Sequence, residues 1–126
     1  MKKGFNMREI NKGIKVYVEV CKEALKMQMT PWTYVEHFGC SNAWVRWRVS
    51  YVKHYVRTIT VGGKEYKVWS DSIAEGTAKG TFVEAEDGTV TKISDNAYMV
   101  KIDFDRCVET VREAIEVQFK LDSFRK

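Results

Sequence analysis

The periodicity of this chain changes character at Arg57. Before it, apolar residues recur at the three- and four-residue spacing of helices; after it, β-rich runs flank Gly62-Gly63. A chain that spends its first half on helices and then turns to short strands is directed to an α+β fold. We therefore expect three N-terminal helices, a β-hairpin, a small antiparallel sheet and a C-terminal amphipathic helix.

The punctuation places these elements. Asn6 with Glu9 three residues on forms a capping-box pattern. Ile10, Ile14, Tyr17, Cys21 and Leu25 then follow at helical spacing, which predicts a helix over 7–29. Val16, Val18 and Val20 also alternate as in a strand, but CKEALKMQM continues with strong helix formers and favours the helix. Thr30-Pro31 supplies a capping hydroxyl and a first-turn proline for a short helix to about Phe38, which Gly39 can end. Ser41 is the expected cap of a third helix, reaching about Val56.

Thr58–Val61 and Glu65–Trp69 around Gly62-Gly63 read as a tight hairpin. SDSIAEGTAKG reads as a loop and marks the boundary between segments 1–70 and 71–126, which can still fold as one compact domain. Residues 81–85 and 89–93 flank Glu86-Asp87-Gly88 as a second hairpin, and Ala97–Ile102 could add a strand. Asp103 or Asp105 would cap a last helix with an apolar stripe of Val108, Val111, Ile115 and Phe119.

Charge separates the same two segments. Residues 1–70 carry 13 Lys/Arg against 5 Asp/Glu, and residues 71–126 carry 8 against 12, so +8 stands beside −4 within a net +4. A basic first half suits an anionic partner. Three widely spaced cysteines imply no disulfide framework and suit a reducing cytoplasm. The basic start lacks an apolar signal core, and no apolar run is long enough for a membrane span.

The third helix concentrates the functional signal. On a helical wheel, Val45, Val49, Val52 and Val56 share one arc of about 60°. Asn42, Arg46, Ser50, Lys53 and Arg57 occupy the adjoining arc, and Trp44, Trp47, Tyr51 and Tyr55 the far side. A helix inserted in a DNA groove needs Arg, Lys, Asn or Ser to reach base edges and phosphates, with small residues for close approach. Its N-terminal half would carry base contacts, selecting Ser41, Asn42, Arg46, Trp47 and Ser50. Lys53 and Arg57 are better placed for phosphate.

On these residues, segment 30–56 resembles helix-turn-helix DNA-binding domains, and through 69 their winged form. Val35 and Phe38 on the first helix, Gly39 in the turn, Ser41 opening the second helix and Val45 packing back carry the resemblance. Two positions depart from it. The family usually has a small residue where Val35 stands, and often an apolar one where Arg48 stands. The winged form implies a hairpin tip on the DNA backbone, here presenting Lys64, with Lys67 nearby.

Other chemistry finds little support. Gly62-Gly63-Lys64 lacks a phosphate-loop glycine at Thr58 and a hydroxyl at Glu65. His37 and Cys40 are three apart but have no second close pair for zinc. No catalytic residue, metal or cofactor is expected. The function expected is that of a small regulator, of phage or mobile-element type, binding duplex DNA as a homodimer away from membranes. The alternative is a non-enzymatic inhibitor or adaptor acting by protein–protein contact, through the aromatic arc.

Overall fold

The structure, a computed structural model, describes residues 4–73 and 76–124, with side-chain surroundings through residue 117. Three helices come first: α1 (Met7–Lys26), α2 (Pro31–Phe38) and α3 (Ala43–His54). Strands β1 (Arg57–Val61), β2 (Lys64–Asp71), β3 (Gly80–Glu84) and β4 (Val90–Ser94) follow. A 3₁₀ turn, Gly76–Ala78, sits between β2 and β3. The short α4 (Met99–Ile102) and the long α5 (Phe104–Phe124) close the described chain. The architecture is the expected α+β one.

Asn6 starts α1 as its sequence pattern suggests. Its side chain accepts from the Glu9 amide at 2.8 Å, and the Glu9 carboxylate accepts from the Asn6 amide at 3.0 Å. The alternating valines are absorbed into a broad helical face, since Tyr17, Val18, Val20, Cys21 and Ala24 are all buried. The helix stops at Lys26 rather than 29. Gln28 adopts φ 53°, a left-handed conformation that turns the chain out of the helix.

Gly13 explains how α1 meets α3. A Cβ at Gly13 would lie 2.7 Å from Trp44 Cβ, so only glycine lets the helices approach this closely. The tight helix contact therefore falls between α1 and α3.

The four strands form an antiparallel meander in chain order. At the first hairpin Gly62 and Gly63 both have positive φ, 59° and 80°, as a primed two-residue turn demands. Val61 pairs with Lys64, and Arg57 with Val68. β2 pairs with β3 from Lys67↔Glu84 to Asp71↔Gly80, so one sheet runs through both charge segments. Gly80 has φ 145°, and a Cβ there would meet the Ser94 carbonyl at 2.3 Å.

The sheet is a middle layer. Trp69, Phe82 and Val90 face the α1–α3 core, together with Tyr17, Trp32, Trp44, Val45, Val49 and Val52. Ile59, Val68 and Val83 face the other way, onto Met99, Val100, Cys107 and Val111 from α4 and α5.

Residues 97–102 are not a strand. Asn96 Oδ1 accepts from the Tyr98 amide at 2.9 Å and begins the turn that becomes α4. Met99 and Val100 are both buried, packed with Cys107 and Val111 against Ile59, Val68 and Val83. Ser70 Oγ anchors it by accepting from the Val100 amide at 3.2 Å. For α5, Asp103 Oδ1 accepts from the Arg106 amide at 3.4 Å. Val111 is fully buried, with Val108 and Ile115 beside it; the Phe119 side chain lies outside the described surroundings.

Candidate nucleic-acid interface

The pair α2–α3 is built by local chemistry. Thr30 Oγ1 accepts from the Thr33 amide at 3.1 Å, and Pro31 occupies the first turn. Gly39 ends α2 with φ 78°. The cap of α3 is Asn42, not Ser41: Asn42 Oδ1 accepts from the Val45 amide at 3.1 Å. Asparagine caps as well as serine does, and the helix simply begins one residue later.

α3 then divides as its wheel implies. Val45, Val49 and Val52 are buried, while Arg46, Ser50 and Lys53 are exposed. Successive rings on its aromatic side touch: Trp44–Trp47, Trp47–Tyr51 and Tyr51–Tyr55 centroids lie 5.8, 5.5 and 4.9 Å apart. Trp44 is core, whereas Trp47 is 37% exposed and rests against Phe5. Trp32 and Trp69 are core too.

The eight selected residues do not all converge. Arg46, Ser50 and Lys53 share the open face of α3, with Ser41 and Asn42 at its start and Trp47 beside it. Arg46 Nη1 donates to the Cys40 carbonyl at 2.8 Å, which holds the guanidinium over the α2–α3 turn and leaves its other N–H groups for a ligand. Lys53 Nζ lies 4.0 Å from Glu36 of α2, an exposed pair that a phosphate could displace. Arg57 leaves the helix. It opens β1, and its guanidinium stacks 3.9 Å above the Phe104 ring. Lys64 sits at the hairpin tip in acidic company: the adjacent Glu65 amide donates to Glu86, and Asp87 is held below the usual carboxylate range, chiefly by the Thr89 amide.

Sequence reasoning missed a buried polar cluster behind this face. Arg48 turns inward, its side chain 12% exposed, and lies 3.8 Å from Asp71, which is 1% exposed. Tyr17 donates to Asp71 Oδ2 at 2.5 Å, and Cys21 Sγ lies 3.8 Å from the same oxygen. Burial pushes the Tyr17 hydroxyl and the Cys21 thiol well up, and the Asp71 charge adds to both. Cys21 is therefore a neutral thiol, unsuited to nucleophilic work. The signal was Arg48 itself, a cation where an apolar residue is usual. Its partner is remote in sequence and sat in a stretch that read as loop.

A second unforeseen residue is Lys101 of α4. It donates to the Tyr51 hydroxyl at 2.9 Å and lies 4.4 Å from the Tyr55 ring centroid. That hydrogen bond is the main cause holding Tyr51 below the usual phenol range.

No described helix is long and apolar enough to cross a membrane. Among the described residues, no group of three or more His, Cys, Asp and Glu could hold a metal ion. No family model, curated protein or solved structure matches the chain.

Proposed function

We propose that this protein binds duplex DNA, with α3 entering the major groove. The observation that carries the reading is the two-sidedness of α3. Its valines are locked in the core, and Arg46, Ser50 and Lys53 project into solvent from a helix preceded by a capped partner helix and a glycine turn. Arg46 lies in the first half of α3, where base edges are reached; Lys53 lies in its last turn, suited to phosphate. Two copies reading two half-sites would complete the arrangement.

The test is binding of the pure chain to a randomised duplex pool at several salt concentrations. Arg46→Ala is expected to cost about 1–3 kcal/mol on the selected sequence and to relax its preference. Lys53→Ala is expected to weaken all sequences alike and lower the salt slope by about one. Absence of salt-sensitive duplex binding removes the proposal.

One observation favours a different reading, docking of a protein partner. Trp47 and Tyr55 stay 37% and 45% exposed beside each other's ring row, an aromatic surface of the kind that anchors interfaces. A stoichiometric protein partner lost on Trp47→Ala, with no DNA bound, would establish that reading instead.

A further inference from the structure

Behind α3 lies a cavity of about 150 Å³, walled by Arg48 and Tyr51 of α3, Tyr55 at its C-terminal cap, Ser72 after β2, and Tyr98 and Lys101 at α4. Its position is set by the fold: the loop into α4 brings Tyr98 and Lys101 against the aromatic side of α3. The volume suits one six-membered ring with a small substituent, since a pocket of about that size holds benzene. The walls offer aromatic faces and edges for such a ring.

The charges in the wall are unequal. Arg48 stands opposite Asp71, so that pair is close to neutral. Lys101 is held by a phenol oxygen and by ring faces at 4.9 and 4.4 Å, and among the described residues no carboxylate lies within ion-pair distance of it. Arg48 Nε is buried and has no hydrogen-bond partner among the described residues. That atom has no exposed surface and is sealed from the cavity. The cavity therefore combines room for a ring with one net positive charge, that of Lys101.

We propose that this cavity binds a small aromatic carboxylate. The ring lies among Tyr51, Tyr55 and Tyr98. The carboxylate takes a charge-assisted hydrogen bond from Lys101. Because Arg48 and Tyr51 belong to α3 and Tyr55 caps its end, the bound acid touches the same helix whose outer face is proposed to read DNA. The binding site itself does not rest on that reading and can be tested without DNA.

The experiment is calorimetric titration of the whole chain with benzoate, with benzyl alcohol as the neutral analogue. Benzoate is expected to bind one-to-one, at least about tenfold tighter than benzyl alcohol. Lys101→Gln, at an exposed position, is expected to lower benzoate affinity about tenfold while circular dichroism shows the fold intact. Lys15→Gln, an exposed cation on α1, is expected to leave it unchanged. No saturable binding at millimolar benzoate overturns the proposal. So does equal affinity for the alcohol, or equal loss in the Lys101 and Lys15 variants, which would indicate general attraction to a basic surface.

Discussion

The two faces of the sheet are covered by different chemistry. Toward α1–α3 the core is aromatic: Trp32 meets Trp69 edge-on at 4.9 Å, Trp69 stacks on Phe82 at 5.7 Å, and Tyr17 meets Trp44 edge-on at 6.0 Å. The Arg48–Asp71 pair threads through it. Toward α4 and α5 the buried core is aliphatic, made of Ile59, Val68, Val83, Met99, Val100 and Val111 with the Cys107 thiol, and the Tyr66 and Phe104 rings pack on it only partly buried. Aliphatic cores tolerate repacking when volume is kept. Rings in fixed edge and stack geometries, and a buried charge pair, tolerate little. The contrast shows where this chain spends its geometric precision: on the side that holds α3.

The largest test of that contrast is Asp71→Ala. It leaves Arg48 buried without its carboxylate and Tyr17 without its acceptor, and should cost about 3–5 kcal/mol in urea unfolding. Joining Asp71→Leu with Arg48→Met should recover part of that loss, because both charges are then gone. A loss below about 1 kcal/mol for Asp71→Ala would erase the distinction between the faces.

Next come Gly13→Ala and Val111→Ala. The first drives a methyl into Trp44 and should destabilise by up to about 3 kcal/mol, despite alanine's better helix propensity. The second opens a small cavity worth about 2 kcal/mol. Near-ultraviolet circular dichroism separates them: Gly13→Ala should alter the tryptophan signal, and Val111→Ala should leave it in place.

The smallest effect concerns pH on the aliphatic side. Burial pushes the Cys107 thiol up from 9.0 to about 11. The unfolded thiol loses its proton first, so its contribution is complete below pH 9 and is lost as the pH rises toward about 11. Melting temperature measured across that window should fall less in Cys107→Val than in the parent.

Local chemistry made much of this fold readable. The Asn6–Glu9 box, Thr30-Pro31, Gly39 and Gly62-Gly63 act within three or four residues of themselves, and each forms the cap or turn its pattern implies. What escaped depended on distant partners. Gly13 looks like a weak point in a helix until Trp44 lies over it. Asp71 sits in a polar run whose local reading is a loop, yet it ends β2 inside the core. Residues 97–102 had strand composition, but Ser70 and the open sheet face draw them into a helical turn. The candidate interface divided likewise: its α3 members were readable from the wheel, whereas the destinations of Arg57 and Arg48 were set by Phe104 and Asp71.

The Asp71 contacts also bear on which strand alignments the chain can adopt. Its partners Tyr17 and Cys21 stand 54 and 50 positions earlier, so the cluster closes only after α1, α3 and β2 have assembled. A slip of β2 by one residue would turn Asp71 to the aliphatic face and bring Ser70 or Ser72 under Arg48. Neither serine can neutralise a buried guanidinium, and a carboxylate would be stranded among valines. The misaligned sheet thus bears two uncompensated charges at once, and the cluster acts as a proofreading check on register.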